Sequence, residues 1–237
     1  MLQIWFIDKA FEESNIYTVE DIPDDIDVMV LSHDHWDHLD YDMVRKIEPK
    51  VRCVVTGLGN GGYYEKWGYL PEKIREEDWD TEVVIDKDLS VWVLPAKHFS
   101  GRLLPRNQTL FAGFAFITPD RKVYYTGDGG YDGRFKRIGE QFDLALVEDG
   151  QYNEAWHSVH MMPEESALAG EELQAAAVIP CSNGKYPLSV YRWKEPYERI
   201  AEASKGKSYR LIMPMIGELV EIRNREQTFT NWWEGME

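Results

Sequence analysis

The stretch IDVMVLSHDHWDHLD, residues 26–40, joins a short continuous apolar run to three of the six histidines in a chain of 237 residues. An unbroken apolar run suits a strand covered on both faces, so the fold must bury this strand and still let its end open onto a polar loop. That loop presents His33, His35, Asp37 and His38 in the pattern H-x-H-x-D-H. On extended backbone His33 and His35 point to the same side, and Asp37 and His38 can swing back toward them in the turn that follows. Imidazole nitrogens and a carboxylate are a ligand set for zinc, manganese or iron(II). A plainer reading makes this a polar loop capping the helix that begins near Asp40, but three histidines and an aspartate at these spacings are rare by chance.

A metal centre needs donors from more than one loop, and other strand ends supply them. β-Rich runs ending in polar or glycine-containing turns recur at 26–32, 51–57, 89–96, 110–118, 122–128 and 142–149. His98 follows the third of these in LPAKHFSG, and Asp128 closes the fifth in YYTGDGGYDG, where glycine lets the backbone come close. Either residue alone would pass for a turn residue; with the cluster they complete a metal centre. Helices are predicted over 40–47, over 163–175, where Pro163 and two glutamates suit an N-terminus, and over 195–204. A last strand is predicted over 209–222, interrupted by Pro214 and Gly217. Strands and helices interleave without repeat or linker. The class is therefore α/β or α+β, with helices packed on sheet faces and one domain spanning 1–237.

Charge narrows the partners. With 26 basic and 42 acidic side chains the formal charge is -16, which repels nucleic acid and anionic lipid surfaces. No nucleic acid and no membrane insertion are expected: no apolar run approaches a membrane span, and the apolar part of MLQIWFIDKAFEE is too short for a signal peptide. Cys53 and Cys181 are far apart and form no CxxC pair, which fits a reducing cytoplasm better than a disulfide framework.

H-x-H-x-D-H, a histidine after a later strand and then a Gly-Asp turn resemble the metallo-β-lactamase fold superfamily of metal-dependent hydrolases. HFSGR, TGDGGYDGRF, EDGQYNEAWHSVHMMPEES and RWKEPYERI are similar to the bacterial branch related to N-acylphosphatidylethanolamine-hydrolysing phospholipase D and L-ascorbate-6-phosphate lactonase. The resemblance implies a four-layer αββα sandwich with a metal site at one edge of its sheets. It implies one or two divalent ions, zinc first, with manganese or iron as alternatives. Carried over by position, His33, His35 and His98 hold one metal, Asp37 and His38 the other, and Asp128 bridges them. A hydroxide between the ions, oriented by Asp37, is the implied nucleophile. The implied reaction is hydrolysis of a phosphodiester, or of a lactone or other ester, in a small anionic molecule.

Two departures stand out. Relatives carry a last metal-binding histidine in a strand-end segment of the form L-P-x-H, and the matching stretch here is VIPCSNGKY, with Ser182 in the histidine's place. A serine hydroxyl is a poor ligand at neutral pH, so a second ion is expected to bind weakly. Cys181 faces the other side of the strand. Relatives also carry two further strands before the segment matching IWFID. Shortened N-terminal strands are therefore expected, with a homo-oligomer interface or a rearranged sheet covering the edge.

Other residues carry weaker signals. In AWHSVHMMPEE, His160 is a candidate to bind an anionic group or protonate a leaving group, and His157 a candidate substrate contact; the plainer reading is two polar residues at a helix start. Arg102 and Arg106 follow His98, where a phosphate or carboxylate clamp is a natural use for arginine, with pairing to surface acids as the alternative. GLGNGG, residues 57–62, fits G-x-G-x-x-G, yet no clear βαβ crossover follows it, so it reads as a loop rather than a nucleotide site. The favoured function is a metal-dependent hydrolase. A weakened or inactive metal-binding descendant, acting as a ligand- or partner-binding protein, is the competing class, and a nuclease is disfavoured by the charge.

Overall fold

A computed structural model of the chain describes residues 11, 14, 16–102, 106–186 and 189–236. The expected loss of N-terminal strands falls on residues 1–10, outside the described residues. The chain runs β1 (Met29–Leu31), α1 (Tyr41–Ile47), β2 (Val54–Gly57), α2 (Gly61–Lys66), β3 (Ile74–Glu77), β4 (Thr81–Asp86), β5 (Leu89–Pro95), β6 (Ala112–Ile117), β7 (Lys122–Tyr125), α3 (Arg134–Ile138), β8 (Leu144–Glu148), α4 (Pro163–Glu172), β9 (Ala177–Cys181), α5 (Glu195–Ala203) and β10 (Arg210–Leu211). Strands β1, β2 and β3 form one parallel sheet, and the other seven form a mixed sheet in the order β10-β9-β8-β7-β6-β5-β4.

Alternation along each strand sorts side chains into layers. Val54 of β2 packs with Leu31, Leu39 and residues of α1 and α2, among them Val44, Ile47 and Tyr64. Its neighbour Val55 packs with Val91, Val93 and Phe114 of the second sheet. On the far face of that sheet Leu94, Ala115 and Tyr124 meet Phe135 of α3, Ala169 of α4 and Leu173 at its C-terminal end. Helices, sheet, sheet and helices follow one another, the αββα sandwich that the sequence motifs imply.

Topology gathers the strand ends. β7, β8 and β9 are parallel, and β5 and β7 both run opposite to β6, so β5, β7, β8 and β9 finish at one edge. The loop after β1 is drawn to the same edge by Ala112 N, which donates to Ser32 O at 2.8 Å. Gly127 makes this approach feasible: its φ is 62°, and a Cβ there would lie 2.8 Å from Ala112 O and 2.9 Å from Ser32 Cβ. The same loop is closed by Asp40, the N-cap of α1, whose carboxylate accepts from Met43 N at 2.7 Å.

Two expectations are corrected. Residues 57–62 do open a crossover, since β2 pairs in parallel with β3 through α2; the charged sequence of β3, IREE, hid the second strand. The nucleotide site stays excluded on different ground. Gly61 N donates to Glu76 Oε1 at 2.6 Å, so a carboxylate already fills the helix N-terminus where a phosphate would sit. The strand expected over 209–222 pairs with β9 only at Arg210 and Leu211. Ile212 N adds one bond to Val178 O, and Pro214 then offers no N–H to continue the ladder. Among the described residues no helix is long and apolar enough to cross a membrane.

Phe114 is fully buried between the sheets, whereas Val84 on β4 is 71% exposed. Phe114→Ala is expected to cost about 3–5 kcal/mol of unfolding free energy, and Val84→Ala to stay within about 0.5 kcal/mol, both read from urea denaturation midpoints.

Candidate metal centre

Three imidazoles converge where the strands end. His33 Nε2 and His98 Nε2 lie 2.9 and 3.2 Å from His35 Nδ1. The outward nitrogens are tied back: His33 Nδ1 to Ser32 Oγ at 3.1 Å, and His98 Nδ1 to the Val159 carbonyl at 3.0 Å. Only a protonated Nδ1 can bond to that carbonyl, so neutral His98 turns a bare Nε2 inward. A single proton on His35 Nδ1 can satisfy one neighbour and leaves the other lone pair facing a nitrogen. Around a tetrahedral zinc with bonds of about 2.0 Å, ligand nitrogens stand about 3.3 Å apart, close to these spacings. The donor set therefore fits a divalent cation.

A second group shares His33. His38 Nε2 lies 3.0 Å from Asp128 Oδ2 and 3.6 Å from Asp37 Oδ2. His33, His38 and Asp128 form one candidate ligand trio, His33, His35 and His98 another, and His98, Asp128 and His160 a third. Asp37 is the more open acid, with its side chain 35% exposed against 3% for Asp128.

Burial decides the charges here. It pushes His98 down to about 3 and His33 well below the imidazole range, and it lowers His35 as well. These three therefore stay neutral and present lone pairs. Burial also opposes a charge on His38, but the carboxylate of Asp128 and its hydrogen bond raise that imidazole to about 9. Burial would raise Asp128 in turn, and the charge and hydrogen bond of His38 hold it well below the carboxylate range.

The structure also sorts the remaining sequence-derived candidates. His160 is brought to the centre, its ring centroid 5.0 Å from that of His98, and its Nδ1 is bound by Glu148 Oε1. His157 is not brought in: its side chain is 45% exposed and pairs with Glu165 Oε2 at 2.7 Å, beside the start of α4. Arg102 Nη1 donates to the carbonyls of Asp34 and Leu39 behind the ligand loop. Arg106 lies over the Phe99 ring at 5.1 Å. Ser182 stands at the centre as the alignment of motifs implies, with Oγ donating to Asp128 Oδ1 at 3.1 Å and φ at 63°. Burial raises the Cys181 thiol strongly, and none of the candidate ligand trios among the described residues includes it.

Glu148 escaped the sequence reading. It is the last residue of β8, fully buried, and accepts from Gly129 N at 2.6 Å as well as from His160. The available signal was an acid closing the apolar run FDLALVE, where a water-facing carboxylate would not be expected.

Residues 10–181 match the family model described as a β-lactamase superfamily domain, and the chain belongs to that family of metallo-β-lactamase-fold, metal-dependent hydrolases. It is 37% identical over 215 residues to an uncharacterised protein of Mycobacterium tuberculosis, an alignment covering 88% of this chain and 57% of the relative. The chain thus spans less than two thirds of that relative's length. It is 32% identical over 228 residues to N-acyl-phosphatidylethanolamine-hydrolyzing phospholipase D 1 of Caenorhabditis elegans, covering 87% of this chain and 64% of the relative. Among solved structures, a metallo hydrolase of Ignicoccus hospitalis superposes with a TM-score of 0.63 at 18% identity, covering 81% and 78% of the two chains. That last likeness is one of fold.

His98 titrates near 6.5 when unfolded but near 3 in the fold, so below pH 6.5 unfolding takes up a proton and stability falls as pH drops. His98→Gln keeps a donor for the Val159 carbonyl and cannot titrate. Relative to this variant, the metal-free wild type is expected to lose about 1.4 kcal/mol per pH unit between about pH 6 and 4, measured by urea titration in chelator.

Proposed function

We propose that this chain is a metal-dependent phosphodiester hydrolase with one tightly held divalent ion and a weaker second position. The observation that carries the reading is the convergence of three neutral imidazole nitrogens at 2.9 and 3.2 Å. His33, His35 and His98 would hold the tight ion; Asp128, His38 and Asp37 would serve the weaker one. A bound divalent cation, zinc in the first instance, would supply Lewis acidity toward a phosphoryl oxygen and ease ionisation of water.

The remaining chemistry belongs to the chain. Glu148 holds His160 by Nδ1, which leaves Nε2 as the nitrogen available to a substrate. Burial and the charge of Asp128 raise Glu148 to about 7. Burial disfavours a proton on His160, but the hydrogen bond and charge of Glu148 outweigh it and raise that imidazole. The pair thus retains a proton near neutrality, and His160 can deliver it to the departing alkoxide oxygen. Asp37, at the open side, can accept a hydrogen bond from an entering water. Phosphodiester is favoured over lactone because relatives from Caenorhabditis elegans and Saccharomyces cerevisiae are named as phospholipases D. The free Cys53 and Cys181 support action in the cytoplasm, and the charge of -16 supports a small-molecule substrate over nucleic acid.

Ser182 favours a second reading, a protein that holds one ion and binds a ligand without turnover, because its hydroxyl occupies Asp128 Oδ1. Metal analysis of protein purified without chelator, paired with hydrolysis of bis(4-nitrophenyl) phosphate and a chromogenic lactone, separates the readings. About one equivalent of metal is expected, absent from His33→Ala. His160→Gln is expected to keep the metal and lose roughly 10²–10⁴-fold in kcat on the diester, and Ser182→His to raise metal content toward two equivalents. Metal that stays below about a tenth of an equivalent after incubation with zinc or manganese would sink the hydrolase reading. Full metal content without turnover of either substrate would leave the binding protein.

A further inference from the structure

The ligand loop carries an aspartate that binds away from the centre. Asp34 sits between His33 and His35 and is 2% exposed, yet its carboxylate faces the protein: Oδ1 accepts from Gly101 N at 2.6 Å and Oδ2 from Tyr63 Oη at 2.9 Å. Arg102 works on the same segment. Its Nη1 donates to Asp34 O at 3.1 Å and Leu39 O at 2.7 Å, the carbonyls that bracket His35, Asp37 and His38. The guanidinium carbon lies 3.8 Å from the centroid of the Trp36 ring, and Trp36 Nε1 donates back to Arg102 O at 2.8 Å. The Tyr63 and Trp67 rings, each 5.8 Å away, close the enclosure.

These contacts join two loops that no strand pairing holds. His33 to His38 lie beyond the last residue of β1, Leu31, and His98 lies beyond the last residue of β5, Pro95. We infer that Asp34 and Arg102 are positioning residues that fix the distance between the His33–His38 loop and the His98–Arg102 loop, and thereby set the affinity of the metal centre. The inference rests on the metal reading above. Ligand sets reach full affinity only when held near their final spacing by groups that do not touch the ion, and this enclosure spans both loops. The placement of the arginine follows the same geometry: Nη1 serves both backbone carbonyls while the guanidinium face lies over Trp36.

Arg102→Met separates position from charge. The substitution keeps an apolar side chain against Trp36 and removes both carbonyl bonds together with a positive charge near the site. By charge alone, a divalent cation would bind the variant more tightly; by position, more weakly. In competition with a chromogenic chelator, the zinc dissociation constant is expected to rise about 10- to 100-fold, and the visible absorption of the cobalt(II) form to change with the altered ligand geometry. Asp34→Ala is expected to weaken zinc more than Asp34→Asn, which retains an acceptor for Gly101 N and a partner for Tyr63. Zinc binding by Arg102→Met as tight as wild type or tighter, or equal weakening by Asp34→Ala and Asp34→Asn, would overturn the inference. Should circular dichroism show metal-free Arg102→Met to be unfolded, Arg102→Lys replaces it: charge is kept, the fork is lost, and weakened zinc binding still supports positioning while unchanged binding refutes it. A wild type that binds no zinc, matching His33→Ala, refutes the metal reading itself, a result distinct from tight wild-type binding that the substitutions leave untouched.

Discussion

Two imidazole nitrogens, His33 Nε2 and His98 Nε2, held 2.9 and 3.2 Å from a third, His35 Nδ1, are the constraint around which the rest of the molecule is arranged. Such a cluster is unfavourable without a cation, because lone pairs face lone pairs in a site with little water to intervene. Burial keeps it from relaxing by protonation, since a charge on His33 or His98 would have to be desolvated. His38, by contrast, is raised against burial to about 9 by the Asp128 carboxylate 3.0 Å away. Neutral donors on one side and a charged pair on the other give the centre an uneven electrostatic character, and a cation entering it would displace the proton of His38 before binding there.

The two sheets and the loops divide the task. Parallel β7, β8 and β9 end at one edge and bring Asp128, Glu148 and Ser182 there, Glu148 within the β8–β9 ladder and the other two just past their strands. The histidines come from loops and depend on side-chain ties: Ser32 for His33, the Val159 carbonyl for His98, Glu148 for His160. Ser182 lies at the same edge. The end of β9 brings that position to Asp128, and its hydroxyl donates to the carboxylate.

How far the sequence discloses this depends on whether a residue's partner is near it in the chain. The H-x-H-x-D-H spacing, His98 and Asp128 are legible because each sits at the end of an apolar run, and strand ends are where a layered fold exposes side chains. The crossover through α2 is not, because β3 reads as IREE and only its pairing with β2 reveals a strand. Likewise the run from 209 to 222 has strand-forming residues, but Pro214 removes the donor that would extend the ladder past Ile212. Glu148 and Glu76 are acids whose roles are set by what lies opposite: a histidine from the loop before α4 in one case, the first turn of α2 in the other.

Asp34 and Asp37 make the point within three residues. Both are aspartates in one short loop, and spacing alone gives no reason to send one toward the ions and the other away. The loop decides, because Asp34 falls where Gly101 N and Tyr63 Oη can both reach it, whereas Asp37 falls at the open side beside His38. Arg102 follows the same logic in reverse. An arginine four residues after a ligand histidine is well placed to bind an anion, but the aromatic floor of Trp36 and two free carbonyls are nearer and are present whether or not a substrate is. A planar cation takes the partners that are fixed in place, and so Arg102 is engaged with the loop that carries His35, Asp37 and His38.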